Sequence, residues 1–311
     1  MRVFLAGATG VIGRPLVAQL LAGGHHVTGM TRSRERAEAL CAAGAEAVIA
    51  DALDAGAVNE AVLAARPDAV IDQLTSLPWR INPRTIERDF ALNDRLRSQG
   101  TRILVAAAQA AGARRILAQS VAFFYVPGAP GTVHREQDAR LSDPPGPSKR
   151  TARALQELER TVLAADGLVL RYGYFYGGTS AVSPSGSIGQ DVARRRLPII
   201  GGGGGVWSFI HVEDAARATV TALTRGASRA YNIVDDDPAQ VAQWLPALAD
   251  ALGARPPRQI PAWLARPLAG RFGVASMTTS QGASNELAKR ELGWEPQFSS
   301  WRSGFREALG G

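Results

Sequence analysis

Arg2-Val3-Phe4-Leu5-Ala6-Gly7-Ala8-Thr9-Gly10-Val11-Ile12-Gly13-Arg14-Pro15-Leu16 is the stretch on which the fold turns. Its four consecutive apolar residues, Val3 to Ala6, read as a short buried strand. Glycines at 7, 10 and 13 follow at once, and Leu16, Val17, Leu20 and Leu21 then fall at helical spacing. Strand, tight glycine turn and helix, in that order, are the context that a dinucleotide fingerprint needs. A pyrophosphate can rest on the main-chain N–H groups of a helix N-terminus only where no Cβ stands between them. Gly7 permits the turn, Gly10 lets main chain meet phosphate, and Gly13 lets the helix pack tightly on the strand. Gly7, Thr9, Gly10, Val11, Ile12 and Gly13 are therefore the first candidates for cofactor binding.

Outward from this turn, Gly23-Gly24 closes the helix and His25 to Thr31 reads as a second strand. The paired histidines are read as a turn, because no third metal ligand lies at suitable spacing. A chain that binds NAD usually ends this strand in Asp or Glu, which holds the ribose 2′-hydroxyl. Here the strand runs into Thr31-Arg32-Ser33-Arg34. Two guanidinium groups and a hydroxyl suit a 2′-phosphate, which makes NADP(H) the expected cofactor and Arg32, Ser33 and Arg34 its contacts. A third strand, Ala47 to Ala50, ends at Asp51-Ala52-Leu53, where an adenine could lie. Helices over 34–43 and 55–65 separate these strands. A fourth strand, 69–72, runs into Gln73-Leu74-Thr75, adding Leu74 to the cofactor set. The spacing predicts one long helix over 85–111, interrupted by Gly100, then a fifth strand over 115–118 ending in Gln119-Ser120. A surface loop over 127–147, a helix over 148–165, a sixth strand over 167–171 and a seventh over 230–234 complete the series. Strands alternating with helices at this spacing imply a parallel, doubly wound Rossmann sheet, an α/β fold with its ligand at the strands' carboxyl ends. Residues 1–175 and about 206–235 are assigned to it. About 176–205 and 236–311 are assigned to a smaller, mostly helical substrate lobe. The run Gly201 to Gly205 is read as a mobile loop. Tryptophans 244, 263, 294 and 301 either pack a helical core or line an apolar cleft, and they favour an apolar substrate over a sugar nucleotide. Arg194 to Arg196 keeps a second diphosphate site open.

The net charge of +7 rests almost wholly on scattered arginines, Lys149 and Lys289 being the only lysines. That distribution argues against nucleic acid as a partner. The single Cys41 excludes an internal disulfide and a cysteine metal cluster. The first apolar run breaks at Gly7, so no signal peptide is expected, and nothing has the length of a membrane span. The expectation is a cytoplasmic monomer or homodimer that handles a small molecule, with no metal and no membrane.

These residues resemble the extended short-chain dehydrogenase/reductase family, which includes nucleotide-sugar epimerases and dehydratases. The likeness covers nearly the whole chain. It is carried by the glycine turn, Asp51-Ala52-Leu53, Ser120, Leu170-Arg171-Tyr172-Gly173-Tyr174-Phe175-Tyr176-Gly177, Phe209-Ile210-His211-Val212-Glu213-Asp214-Ala215-Ala216 and Glu291-Leu292-Gly293-Trp294-Glu295-Pro296. The resemblance implies a serine that holds the substrate oxygen, and a tyrosine four residues before a lysine that acts as acid or base. Ser120 matches the serine. The segment Pro147 to Glu159 contains no tyrosine: with Glu157 as the family's helix glutamate, Lys149 and Arg153 take the two positions, and with Glu159, Thr151 and Leu155 do. The chain thus resembles an atypical member. Tyr125 is the leading substitute proton donor, with Lys149, His134 and Tyr172 behind it; Tyr172 is also a candidate cofactor contact. Three activities stay open: hydride transfer between NADP(H) and a small, fairly apolar carbonyl or alcohol, a non-redox isomerisation, dehydration or cyclisation, and sensing of NADP(H) without turnover.

Overall fold

The computed structural model describes residues 1–82, 85–129, 131–142 and 148–309. Seven parallel strands make its central sheet: β1 (Arg2–Ala6), β2 (His26–Thr31), β3 (Glu46–Ile49), β4 (Ala69–Asp72), β5 (Arg115–Val121), β6 (Leu168–Tyr172) and β7 (Ala230–Ile233). Their spatial order is β7-β6-β5-β4-β1-β2-β3. The chain builds outward from β1 in one direction, then returns and builds in the other. The order therefore reverses between β1 and β4, where an open α/β sheet leaves a crevice at its carboxyl edge. Ala6 sits opposite Met30 on one side and Asp72 on the other.

The apolar runs form strands because both faces of the sheet are covered. Val3, Leu5, Ile71 and Leu117 face the helices Gly13–Ala22 and Val212–Ala222. Phe4, Ala6, Val70 and Ala118 face the helices Ala55–Ala65, Thr101–Ala110 and Ser148–Ala164. Burying each of the larger side chains contributes about 1.5–3 kcal/mol. Side-chain caps start the helices where the sequence supplies them: Ser33 for Arg34–Ala42, Asp54 for Ala55–Ala65, and His211 for Val212–Ala222.

Four local expectations change. The single helix expected over 85–111 is Ile86–Asp89 followed by Ala91–Ala110, whose middle turn Leu96–Gly100 is a π-turn. Ser98 Oγ donates to the Asp94 carbonyl there, at 2.9 Å. β5 runs on to Val121, which places Ser120 inside the strand. Two of the five consecutive glycines are close-packed: a Cβ at Gly205 would collide with the Ser276 carbonyl, and one at Gly203 would crowd Ile199 and Ala242, whereas Gly202 faces open space. Glycine serves close approach at Gly203 and Gly205. The tryptophans divide as well. Trp244 and Trp301 are buried in the lobe core with Phe209 and Tyr176, and Trp294 joins the sheet core. Trp263 is 75% exposed.

The lobe is built from the helices Ser187–Ala193, Val241–Ala251, Ala262–Thr278 and Trp301–Leu309, the third broken at Gly270 (φ 66°). Residues 286–294 leave it and return to the sheet, where helix Glu286–Leu292 lies against β7 and helix Val212–Ala222, and Leu292 and Trp294 join the sheet core. Among the described residues no helix is long and apolar enough to cross a membrane, and no group of three His, Cys, Asp or Glu side chains could hold a metal.

Candidate active site

The glycine turn lies at the β1 end of the crevice. Gly7 has φ +87°, and a Cβ there would collide with the Gln73 carbonyl at the end of β4. A Cβ at Gly13 would collide with the Gly7 carbonyl. β1, β4 and the first helix thus meet without side chains between them. Gly10 N–H donates to the Gly7 carbonyl at 3.0 Å, which closes the turn. Helix Gly13–Ala22 has no side-chain cap, unlike the next two. Its first-turn N–H groups lack a side-chain acceptor, and this cradle suits the diphosphate of a dinucleotide. Thr9, Gly10 and Val11 lie at the surface, whereas the Ile12 side chain is 4% exposed and belongs to the core, leaving only its main chain for a ligand.

Arg32 and Arg34 are exposed beside this turn, at the end of β2, and neither makes a hydrogen bond or ion pair among the described residues. Ser33 Oγ accepts from Arg36 N–H at 3.4 Å, so the hydroxyl caps a helix and keeps its proton to donate. Asp51 Oδ1 accepts from Leu53 N–H at 2.9 Å, fixing the turn that buries Ala52. Leu74 N–H donates to Asp72 Oδ1 at 3.0 Å, and its side chain is half-buried. Tyr172 does not open on the crevice. Its hydroxyl lies between Gln73 Nε2 (3.1 Å) and Thr219 Oγ1 (2.7 Å), and burial pushes its pKa up to about 12. It braces Gln73, which in turn backs Gly7.

Ser120 and Tyr125 meet in one buried network. Ser120 Oγ donates to Glu159 Oε1 at 2.6 Å. Arg171 grips the same carboxylate with two bonds, Nε to Oε1 at 3.0 Å and Nη2 to Oε2 at 2.6 Å. Arg171 Nη1 also donates to the Tyr125 hydroxyl at 3.1 Å, and that hydroxyl donates to Asn232 Oδ1 at 2.6 Å. The Arg140 guanidinium lies 4.7 Å from the Tyr125 ring centre and 3.5 Å from Glu159 Oε1. Burial pushes the Glu159 carboxyl up, but Arg171 and Arg140 outweigh it and hold it below the usual glutamate value. Burial raises the Tyr125 phenol despite the two arginines. The structure therefore brings Ser120 and Tyr125 together, but as members of a satisfied ion-pair cluster. One signal for it was in the sequence: Arg171 interrupts an otherwise apolar buried strand and demands a carboxylate.

A second cluster sits beyond β4, and the sequence reading missed it. Thr101 Oγ1 donates to Asp72 Oδ2 at 2.7 Å, and Asn93 Oδ1 accepts from Ser76 N–H at 3.0 Å. Asp94 accepts from Thr151 Oγ1 at 3.3 Å and meets Arg150 Nε at the same distance. Arg97 is buried between the fields of Asp94 and Asp72, and burial lowers its pKa to about 10. Burial raises both carboxyls against the pull of Arg97. Asn93 Nδ2, Asp94 Oδ1, Arg97 Nε and Gln73 Oε1 are buried without a partner in the structure. Thr151 and Leu155 face inward on helix Ser148–Ala164, whereas Arg153 is exposed and Lys149 half-buried at its head. No Tyr-Lys pair forms in either register.

Three rings stack where the sheet edge meets the lobe. Trp207 and Tyr174 are 3.9 Å apart at 17°, and Tyr174 and Phe123 are 4.4 Å apart at 13°. Beside them the His134 ring nitrogens meet Asp138 Oδ2 and Gln281 Oε1 at 3.1 and 3.0 Å. His211 caps a helix through Nδ1, as its position at a strand–helix junction suggested. A recess of about 350 Å³ lies among His25, Thr221, Arg225 and Gly293, at the amino ends of the strands. Open α/β sheets bind ligands at the other edge.

The profile of the NAD dependent epimerase/dehydratase family matches residues 3–234. A 3-diazoavenalumate denitrifying reductase from Streptomyces sp is 47% identical over 308 residues, covering 98% of this chain and 99% of the relative. A 4-hydroxy-2-methyl-3-oxo-4-farnesyl-3,4-dihydroquinoline-1-oxide ketoreductase from Stigmatella aurantiaca is 25% identical over 261 residues, covering 82% of this chain and 74% of that one. Among solved structures, UDP-glucose 4-epimerase from Thermotoga maritima superposes with a TM-score of 0.78 at 20% identity, covering 99% and 97% of the two chains. The dTDP-glucose 4,6-dehydratase from Streptomyces venezuelae, solved with NAD bound, gives 0.77 at 22%, covering 99% and 95%.

Proposed function

The chain belongs to the NAD-dependent epimerase/dehydratase family, and we propose that within it the protein is an NADP(H)-dependent reductase of a small, apolar substrate. The observation that carries this is the bare Gly7–Gly13 turn with the unpaired, exposed Arg32 and Arg34 beside it. A 2′-phosphate dianion would meet two guanidinium groups and the Ser33 hydroxyl, with no carboxylate in Thr31-Arg32-Ser33-Arg34 to repel it. Thr9, Gly10, Val11 and Gly13 would hold the diphosphate, Asp51, Ala52 and Leu53 the adenine, and Leu74 the nearer ribose. When bound, NADP(H) supplies the hydride. The diazo compound and the ketone named for the two relatives are the acceptor classes to try first.

The protein's own groups orient and hold protons. Ser120 and Tyr125 act as positioning residues: pinned to Glu159 and Arg171, they fix the chain from Val121 to Phe124 where it leaves β5. Lys149, at the head of helix Ser148–Ala164, is the remaining candidate from the family's motif region.

Titration of NADPH and NADH, on wild type and on Arg32→Ala, tests the cofactor. NADPH should bind more tightly than NADH, and the substitution should remove most of that preference. Equal binding of both to both proteins would retire the 2′-phosphate site. Nicotinamide absorbance during turnover tests the chemistry: product formed with no net change would move the protein to the non-redox members of its family.

A further inference from the structure

We propose that the aromatic column ending at Phe123 is the floor of a substrate site for a planar aromatic ring, a phenol or aryl acid. The proposal deepens the reductase reading, because it names the substrate class. Aromatic pairs packed for stability alone are mixed in geometry, and edge-on contacts are common. The lobe core follows that pattern: Tyr176 and Phe305 meet at 83°, Phe209 and Trp244 at 74°, and Phe209 and Phe305 at 82°. Trp207, Tyr174 and Phe123 instead lie nearly parallel, as successive steps of one stack.

Place and stiffness add to this. Phe123 leaves β5, Tyr174 follows β6, and both stand at the carboxyl edge where such sheets bind ligands. Trp207 Nε1 donates to the Ser276 carbonyl at 2.9 Å. That bond pins the innermost ring and Tyr174 stacks directly on it, so little order is left to impose when a ligand binds. The outermost ring is half-buried and lines a small recess whose other walls include His134, Thr279 and Gln281. The apolar body of a ligand would continue the stack, and its polar substituent would meet that rim. Phe272, 38% exposed on the lobe helix, stands 6.0 Å from Phe124 and flanks the same edge. Leu77, Trp79 and Ile81, which follow β4, are exposed as well. Apolar surface thus concentrates in segments at this edge, as expected for a ligand site.

Calorimetry on the full chain would compare 4-hydroxycinnamate with 3-cyclohexylpropionate, an acid of similar reach whose ring is not flat. The aromatic acid should bind at least about tenfold more tightly. Phe123→Leu and Phe272→Ala should each cut that advantage about three- to tenfold. Phe272 is exposed, so its variant tests the site even if Phe123→Leu folds poorly. Equal affinity for the two acids, no binding of the aromatic acid, or its displacement by lower concentrations of UDP-glucose would overturn the proposal. An NADPH titration of the same samples separates the two readings: aromatic binding with no NADPH affinity would retire the reductase and leave the ring site standing.

Discussion

Two charged clusters are buried on the same side of the sheet, and they are finished to different degrees. Around Glu159 both carboxylate oxygens are engaged, Arg171 spends its donors on named acceptors, and Tyr125 both gives and receives a hydrogen bond. One Arg140 nitrogen is the only orphan in that group among the described residues. Around Asp94, by contrast, an amide nitrogen, a carboxyl oxygen and a guanidinium nitrogen go unpaired within one stretch of helix. Burial without a partner costs about 1–3 kcal/mol for each neutral group and more for a charged one. A fold keeps such a deficit where something else completes it, and deficits gather at functional sites. The first cluster is completed by the protein's own groups. The unsatisfied one lies beside the end of β4, at the carboxyl edge of the sheet.

Substitutions can break that contrast, beginning with the largest effect. Arg171→Met removes the bidentate partner and strands a buried carboxylate, which should cost about 3–5 kcal/mol in urea unfolding. A loss under 1 kcal/mol would mean that the Glu159 cluster is as incomplete as the other. Ser120→Ala deletes one neutral donor and should cost about 1–3 kcal/mol. If it abolished turnover while leaving stability unchanged, Ser120 would belong to the chemistry instead. Asp94→Asn should change stability at pH 7 by no more than about 1 kcal/mol, because the amide still accepts from Thr151 and a buried charge is removed.

Acidity separates the two clusters by sign. Glu159 is held below its ordinary value of 4.5, so its contribution is present above that value and is lost as the pH falls through the lower folded value. Asp72 and Asp94 are raised above 3.8, so their protonated forms favour the fold, and that gain is lost as the pH rises above 3.8 through their folded values. Unfolding curves between pH 3 and pH 7 should show Asp94→Asn losing less stability than wild type as the pH climbs above 3.8. Identical slopes would remove Asp94 from the titrating set.

Much of the architecture was legible because it is local. Val3 to Ala6 and the three glycines specify strand, turn and helix within one short stretch, and the alternation of strands with helices then dictates a parallel sheet. The active region was less legible because its partners are distant in the chain. Ser120 reads as the serine that holds a substrate oxygen, and its bond to Glu159, 39 residues on, is not visible in the spacing. Tyr125 reads as a proton donor, and its partners Asn232 and Arg171 are likewise distant in the chain. In the run Gly201–Gly205 the packed positions were hidden for a related reason. Composition gives flexibility in the unfolded chain, whereas the packing of Gly203 and Gly205 depends on Ala242 and Ser276. Trp244 and Trp301 carried the same ambiguity, which only the assembled lobe removes.

The return of residues 286–294 to the sheet bears on how a ribosome must deliver this protein. The first helix is covered by Val212–Ala222, Gln19 reaches Glu213, and Asp214 accepts from the N–H groups of Gln297 and Phe298. A nascent chain that has emerged only to residue 175 has its glycine turn and the helix Gly13–Ala22 but lacks β7 and the helix Val212–Ala222 that shares that face of the sheet. That face is covered only in part until Val212–Ala222 and residues 286–294 have been made, so synthesis, not the first turn, sets the moment at which it can close.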